Sequence, residues 1–312
     1  MLVAYFLVHL VLPFLLFIWI MWRKPYGHID FALHFLSAAG LSAFLFYWGQ
    51  YPFVGSHYLR YLLPLALIAT LILHYFRSKK NGIAWDLPAN WRQWMLTGLF
   101  LIMTAMFGLA GITAFRGTRL PHGQTVAMEM PLKQGKYYVS VGGSNGLINM
   151  HFKSPNKSGQ YAVDFNRLGE LGAVASHLFS DNNQDHFIYS DTVFSPCAGT
   201  VVETFDELPD RQVTIDMRDV PRGGNYITIK SDEFFVSLVH VQQGSIQVGA
   251  GETVVVGQPL ALVGNNGYST EPHLHMQVSK IEGDGENERE IGLPILFGER
   301  FLVRNDVIVS LK

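Results

Sequence analysis

The sequence contains a single cysteine, Cys197, and unusually few charged residues. One cysteine excludes an intramolecular disulfide framework and any metal site built from several cysteines. Charged residues make up 15% of the chain, whereas an average soluble domain has about 25%. The shortage lies in residues 1–116, which hold 8 Lys and Arg and 2 Asp and Glu, against 15 and 23 in residues 117–312. The chain is therefore neither a single soluble globule nor a basic nucleic-acid binder, and we expect no nucleic-acid partner.

Residues 1–116 have the composition of a membrane domain. A helix that crosses a bilayer needs about 20 mostly apolar residues. Four segments approach or reach this length: Leu2–Trp22, Phe31–Trp48, Tyr58–Phe76 and Trp94–Phe115. A cleavable signal peptide begins with cations, but here the cations follow the first segment. We therefore predict four transmembrane helices in a lipid bilayer. Because one span would suffice as an anchor, four spans suggest protein partners within the membrane.

The distribution of cations predicts the orientation. The loop after the first span carries Arg23 and Lys24, and the loop after the third carries four cations, whereas the loop after the second carries only Arg60. The positive-inside rule places the first and third loops in the cytoplasm. Residues 117–312 are then extracytoplasmic, and the protein is predicted to be a multi-pass membrane protein.

Three histidines, His9, His34 and His74, lie within the predicted spans. An ionisable group inside a membrane is a functional candidate by default. No charged partner for these residues is evident from the apolar segments. We therefore expect them to have packing or interfacial roles.

Residues 117–312 have the pattern of an all-β domain. Short runs of β-branched and aromatic residues are separated by Gly, Pro, Asn and Asp, which is typical of an antiparallel barrel or sandwich. The predicted strands are Tyr137–Val141, Thr192–Phe194, Thr200–Thr204, Gln212–Met217, Tyr226–Lys230, Phe234–His240, Thr253–Val256 and Leu274–Val278.

A His-x-His pair near the end of the chain is the first sign of chemistry. Side chains alternate along a strand with a period of two, so His273 and His275 are expected on one face. Two imidazoles can bind a metal together, or one can bind while the other transfers protons. By itself this spacing favours ordinary surface or core histidines over a site.

Further motifs accompany this pair in a fixed order. They are Tyr161–Phe165, Val193–Val202, Gly224–Ile229, Ser237–His240, Val248–Leu260 and Val263–Val278. Together these motifs closely resemble the lysostaphin-type (LytM-like) zinc metallopeptidases, which cut peptidoglycan peptides. The resemblance covers about Gly142–Ser279. It implies a small antiparallel β-barrel or sandwich built on a duplicated hybrid motif, with Zn²⁺ as cofactor and a peptidoglycan peptide as substrate. It also implies a location in the bacterial inner (cytoplasmic) membrane, with the second domain in the periplasm.

The resemblance also implies roles for individual residues. Asp164 and His275 correspond to metal ligands, and His240 and His273 correspond to the pair that handles protons and stabilises the oxyanion. This agrees with the general chemistry of zinc, which lowers the pKa of a bound water to near 7 and polarises a carbonyl. Imidazoles titrate in the same pH range and can transfer the proton.

One position departs from the family pattern. The usual first ligand lies four residues before the aspartate, but here that position is Gln160, a poor zinc ligand. Some relatives instead place the histidine further upstream in an N-x-H segment, and Asn149–His151 supplies such a segment. His151 is therefore our predicted third ligand, with His177 and His186 as weaker alternatives.

The sequence thus predicts a multi-domain protein with a transmembrane domain over residues 1–116 and an extracytoplasmic metallopeptidase domain over 117–312. Two other classes remain open. The absence of a histidine at position 160 leaves room for a degenerate module that binds the cell wall or activates another hydrolase. A phosphotransferase-type barrel with two facing histidines would require a cytoplasmic domain and no carboxylate ligand.

Overall fold

The computed structural model describes residues 6–25, 27–81, 87–153, 157–214, 216–284 and 287–310. The chain forms two compact units, Met1–Arg116 and Gly117–Lys312. The first is helical and the second is built of strands. Each unit has its own apolar core, as the difference in composition between the two parts requires.

The described residues of the first unit contain four α-helices. They are α1 (Leu12–Trp22, preceded by a π-helical turn Leu7–Val11), α2 (His28–Trp48), α3 (Leu59–Asn81) and α4 (Trp91–Arg116). A 3₁₀ turn, Tyr51–Val54, joins α2 to α3. Three helical segments are long and apolar enough to cross a membrane, His28–Trp48, Leu59–Lys80 and Trp91–Arg116.

The first predicted span, Leu2–Trp22, is only partly covered, because residues 1–5 lie outside the described residues. Within the described part the apolar helix runs from Leu7 to Trp22, shorter than the other three. The structure therefore supports three candidate spans, and the fourth stays a prediction.

Helices α2 and α4 approach each other closely at small residues. A Cβ atom added to Gly40 would lie 2.9 Å from the backbone nitrogen of Gly108, and one added to Gly111 would lie 3.3 Å from the Cβ of Ala43. Small residues at such contacts let two backbones pack tightly, which is a common way for helices to associate in a membrane.

The helical unit also contains a buried polar cluster that the sequence analysis did not predict. His34 Nε2 lies 3.4 Å from Oδ1 of Asp30, which is one helical turn earlier on α2. The same carboxylate forms an ion pair with Arg23 at 3.3 Å. The expectation that His34 lacks a charged partner is thus wrong, because Asp30 lies just outside the apolar run in which a partner was sought.

The second unit contains fourteen strands among the described residues. In chain order they are β1 (Val126–Met128), β2 (Gly135–Val141), β3 (Val163–Arg167), β4 (Thr192–Phe194), β5 (Gly199–Phe205), β6 (Tyr226–Ser231), β7 (Phe234–Val239), β8 (Thr253–Val254), β9 (Pro259–Leu262), β10 (Leu274–Glu282), β11 (Arg289–Gly292), β12 (Ile295–Phe297), β13 (Arg300–Phe301) and β14 (Val307–Ser310).

Nine of these strands form the main sheet, in the order β14-β2-β3-β10-β7-β6-β5-β8, with β11 paired to β10. All pairs in this sheet are antiparallel, and among the described strands only β1 and β12, in a smaller sheet, pair in parallel. The all-β prediction for this unit is therefore confirmed. Strand β10 lies between β3 and β7, so it connects the half of the sheet formed by β14, β2 and β3 to the half formed by β7, β6, β5 and β8.

One predicted strand, Gln212–Met217, is absent as such from the described residues. The backbone of this segment bonds to other loops: Val213 N–H donates to Asp181 O, and Thr214 N–H donates to Thr270 O. The β-branched residues of this segment resemble a strand in composition, but its described residues, 212–214 and 216–217, pair with no strand. They instead lie in the loop between β5 and β6, and the bond to Thr270 brings them close to the His-x-His motif.

Candidate metal centre and flanking histidines

Strand register brings the predicted site residues together. In the β3–β10 pair His275 lies directly opposite Asp164, and in the β10–β7 pair it lies opposite Val239. His240 follows the last residue of β7, and His273 precedes the first residue of β10. Residues that are far apart in the sequence therefore meet at one end of three adjacent strands.

His151, Asp164 and His275 form a cluster suited to a metal. One ligand atom from each lies within 4.8 Å of the others. His151 Nε2 lies 2.9 Å from Asp164 Oδ2, and His275 Nδ1 lies 2.8 Å from Asp164 Oδ1. Tetrahedral zinc with ligand bonds of about 2.0 Å holds its ligand atoms about 3.3 Å apart, so both imidazole nitrogens would move slightly away from the carboxylate when a zinc ion binds.

The donor set also fits zinc chemically. Two imidazoles and one carboxylate are the ligands of one common type of catalytic zinc site, in which a fourth position stays open for water or substrate. Burial alone would raise the pKa of the Asp164 carboxyl, but the charge of His151 and the hydrogen bonds from His151 and His275 hold that pKa well below its usual range. The carboxylate is thus ionised and able to bind a cation.

His151 reaches the cluster because Asn149 anchors its turn. The Asn149 side chain is completely buried. Its Nδ2 donates to the carbonyl oxygens of Gly143 at 2.9 Å and Ala162 at 3.2 Å, and its Oδ1 accepts from the His151 backbone N–H at 3.0 Å. A 3₁₀ turn, Met150–Lys153, follows. One amide therefore ties the His151 turn to the start of β3, the strand that carries Asp164.

His275 has a second partner that the sequence analysis missed. Its Nε2 lies 3.2 Å from Oε1 of Gln277, and Gln277 Nε2 donates to Ser158 Oγ at 3.3 Å. Because the Gln277 amide nitrogen faces Ser158, its oxygen faces His275 and can accept a proton from Nε2. With its proton on Nε2, His275 can present the lone pair of Nδ1 to a metal, whereas without a metal the same Nδ1 donates to Asp164 Oδ1. The period of two along β10 could have indicated Gln277, since it lies two residues after His275.

His240 and His273 are each held through Nδ1 by a backbone carbonyl. His240 Nδ1 lies 2.9 Å from Asn266 O, and His273 Nδ1 lies 2.8 Å from Glu271 O. A carbonyl oxygen only accepts, so both rings carry their proton on Nδ1 when neutral and leave Nε2 free to accept a proton. Burial and the charges of His273 and His275 hold the pKa of His240 well below its usual range.

The flanking pair lies beside the metal cluster. The ring centroids of His240 and His273 are 4.7 Å apart, and those of His240 and His275 are 6.1 Å apart. The structure thus brings together all five predicted site residues. Their individual roles stay predictions.

Two glycines allow the loops around His240 to approach. Gly267 has φ +61°, and a Cβ atom there would lie 1.8 Å from the carbonyl oxygen of Gly223. A Cβ atom on Gly224 would lie 2.6 Å from Nδ1 of His240. Any side chain at either position would displace the loop that carries Asn266 or the His240 ring itself.

The weaker candidates lie outside the cluster. The side chain of His177 is 76% exposed and hydrogen-bonds Ser176, and His186 is buried elsewhere. Gln160 contributes its backbone carbonyl to Asn149, and its side chain forms no hydrogen bond with the part of the chain that the structure describes. His151, Asp164 and His275 form the only metal-type group of three among the described residues.

The model of Peptidase family M23 matches residues 186–289. The predicted family resemblance is confirmed for this segment, which is about a third of the chain. The segment contains His240, His273 and His275, whereas His151 and Asp164 precede it. No curated protein sequence matches the chain.

Several solved structures resemble the chain weakly. A zinc-containing peptidase from Vibrio cholerae has 21% identity and a TM-score of 0.29, over 58% of this chain and 38% of that one. Lysostaphin from Staphylococcus simulans has 20% identity and a TM-score of 0.30, over 49% and 47%. A putative M23 peptidase from Pseudomonas aeruginosa has 20% identity and a TM-score of 0.28, over 56% and 54%. The chain thus spans about half or less of these relatives.

Proposed function

We propose that this protein is a membrane-anchored zinc endopeptidase that hydrolyses peptide bonds in peptidoglycan stem peptides or cross-bridges. The observation that carries the proposal is the convergence of His151, Asp164 and His275 beside His240 and His273. The M23 domain match over residues 186–289 supports the reaction class. His151, Asp164 and His275 would hold the zinc ion.

The chain's own residues divide the remaining tasks. Zinc, when bound, lowers the pKa of a coordinated water and polarises the scissile carbonyl. In their neutral forms His240 and His273 present Nε2 as a proton acceptor, since each Nδ1 proton is donated to a backbone carbonyl. Either ring can take the proton from the attacking water and deliver it to the leaving amine. General acid–base groups of this kind contribute roughly 10²–10⁴-fold to a rate.

The helical unit supports an anchoring role. Three helical segments are long and apolar enough to cross a membrane, and the cations of the intervening loops favour an extracytoplasmic strand unit. That compartment contains peptidoglycan. The predicted location of the strand unit therefore agrees with the location of the proposed substrate.

The test is to incubate the purified full-length protein, in detergent and loaded with one equivalent of zinc, with two purified peptidoglycans. One carries direct cross-links and the other carries glycine cross-bridges. We expect new amino termini to appear with at least one of them, and we expect His273→Ala to abolish most of this release. Binding to both without release would favour the non-catalytic module instead.

A further inference from the structure

The loop between β5 and β6 contacts the site through a residue that belongs to none of the recognised motifs. Asp210 lies in this loop, and its carboxylate accepts three hydrogen bonds. Tyr189 Oη donates to Oδ2 at 2.8 Å, and the Asn265 backbone N–H and Asn266 Nδ2 donate to Oδ1 at 3.0 and 2.8 Å. Two of these three donors belong to the Gly264–Gly267 loop, so the Asp210 carboxylate restrains the position of that loop.

The Asp210 segment is itself firmly held. Leu208 N–H donates to Oδ1 of Asn225 at 2.9 Å, and Asn225 Nδ2 donates back to Leu208 O at 2.8 Å. Arg211 N–H donates to Asn265 O at 2.7 Å. Burial and the bond to Asp210 raise the pKa of Tyr189 to about 12, so its hydroxyl stays a donor at physiological pH.

Asp210 also occupies space that a side chain would need. A Cβ atom added to Gly264 would lie 2.6 Å from Asp210 Oδ1. The Cα atom and the backbone nitrogen of Gln242 lie equally close, at 2.6 and 2.7 Å, so both the carboxylate and this backbone leave no room for a side chain at Gly264. The Gly264–Gly267 loop and Asp210 are therefore closely packed.

Asn266 transmits this restraint to His240. The Asn266 side chain is fully buried; its Oδ1 accepts from the Asn225 N–H at 2.7 Å, and its Nδ2 also donates to Val241 O at 2.6 Å. The backbone carbonyl of the same residue accepts the His240 Nδ1 proton. The carbonyl that selects the His240 tautomer is thus held in place by an amide that Asp210 orients.

The backbone of His240 needs such restraint. Its φ is +68°, in the left-handed region that residues other than glycine seldom adopt. Its N–H donates to Asn225 O, and its carbonyl accepts from Gly264 N–H, both at 2.8 Å. Together with the bond from Nδ1 to Asn266 O, three hydrogen bonds therefore hold His240. The Gly264–Gly267 loop, which Asp210 anchors, supplies two of them.

We propose that Asp210 is a positioning residue, which fixes the Gly264–Gly267 loop so that Asn266 O holds the His240 ring with its proton on Nδ1 and its Nε2 available to the substrate. The inference rests on the proposed function for its effect on turnover. Its effect on the His240 ring can be observed without any activity.

The experiment compares full-length Asp210→Ala and Asp210→Asn with the matched control Asp206→Asn. Asp206 lies in the same loop, but its carboxylate binds the Gly244 N–H at 2.8 Å and not the Gly264–Gly267 loop. For each protein we would measure the zinc content, the kcat and KM on soluble cross-linked muropeptides, and the ring-nitrogen NMR signals of histidine-labelled samples.

For Asp210→Ala we expect unchanged zinc content, a KM near that of the wild type, and a kcat lower by roughly 10–100-fold, the range found for partners that orient a functional histidine. The His240 signal should change from the Nδ1-protonated form to a mixture. Asp210→Asn keeps one acceptor oxygen for Asn265 and Asn266 but loses the second acceptor and the charge, so it should show a smaller loss of kcat and a smaller change in the His240 signal. An Asp210→Asn variant identical to Asp206→Asn in both measurements would contradict the inference if the alanine variant does not fold. Asp206→Asn should resemble wild type.

Two results would overturn the inference. The first is an Nδ1-protonated His240 in Asp210→Ala, with kcat as in Asp206→Asn. The second is loss of zinc in proportion to loss of turnover, because Asp210 would then support the metal cluster and not His240. If wild type shows no peptidase activity, the proposed function fails, while the NMR comparison still decides the role of Asp210.

Discussion

His275 Nδ1 lies 2.8 Å from Asp164 Oδ1, across two paired antiparallel strands. This distance is set by strand register, so it does not depend on a loop. If both residues hold zinc, His275→Ala should lose metal and activity together. His273→Ala should keep near-stoichiometric zinc while turnover falls by roughly 10²–10⁴-fold, as expected for a proton-transferring group.

Measuring both the zinc content, by atomic spectroscopy, and the rate of hydrolysis distinguishes metal binding by His275 from proton transfer by His273. Equal loss of metal in both variants would contradict the division of roles within the His-x-His motif. His122, outside the cluster, offers a matched control, and His122→Ala should retain both properties.

The third ligand can be tested against the position where the family pattern expects it. His151 Nε2 lies 2.9 Å from Asp164 Oδ2, whereas Gln160 meets Asn149 through its backbone. His151→Ala should therefore lose zinc, and Gln160→Ala should keep it. Retention of a full equivalent of zinc by His151→Ala would remove this residue from the ligand set and favour a non-catalytic role for the domain.

Gln277 should tune the metal affinity without being a ligand. Its Oε1 accepts from His275 Nε2, and removal of such a partner typically weakens metal binding by about 10–100-fold. We expect this loss for Gln277→Leu in a competition titration with a zinc chelator. Gln277→Glu keeps the acceptor and should retain affinity close to wild type. Equal weakening in both variants would show that packing and not the hydrogen bond matters.

The orientation in the membrane can be tested with reporter fusions. A reporter active only in the cytoplasm should be silent when fused after Lys312 and active when inserted after Lys80. The expected difference follows from the cationic loops, which the positive-inside rule retains in the cytoplasm. A strong signal at Lys312 would exclude peptidoglycan as the substrate.

Much of the site could be predicted because it depends on regular features. The period of two along a strand places His273 and His275 on one face, and the collinear motifs indicate Asp164 and His240. His151 could be named only because Gln160 left the ligand set incomplete. Asn149, which holds His151 in place, belongs to the predicted Asn149–His151 segment. Its four hydrogen bonds could not be predicted, because they depend on loops whose paths the sequence does not specify.

Other features could not be predicted for physical reasons. Asp210 lies in an irregular loop without periodicity, and its three donors come from distant parts of the chain. The Gln212–Met217 segment has the composition of a strand, but composition does not reveal whether an edge is available to pair with it. Asp30 lies outside the predicted span Phe31–Trp48, because α2 begins at His28, three residues before the uncharged run that defines that span.

Because β10 pairs with both β3 and β7, the order in which the chain is synthesised determines when the candidate site can form. Asp164 and His275 are separated by 111 residues, and β10 is among the last strands of the main sheet to emerge. Contacts between such distant residues form late in folding, because a long loop must close first. A nascent chain that ends before Leu274 has neither His275 nor the strand that pairs with both β3 and β7. The five candidate site residues therefore cannot converge before β10 has been synthesised, and under the proposed function the nascent chain has no hydrolytic centre until then.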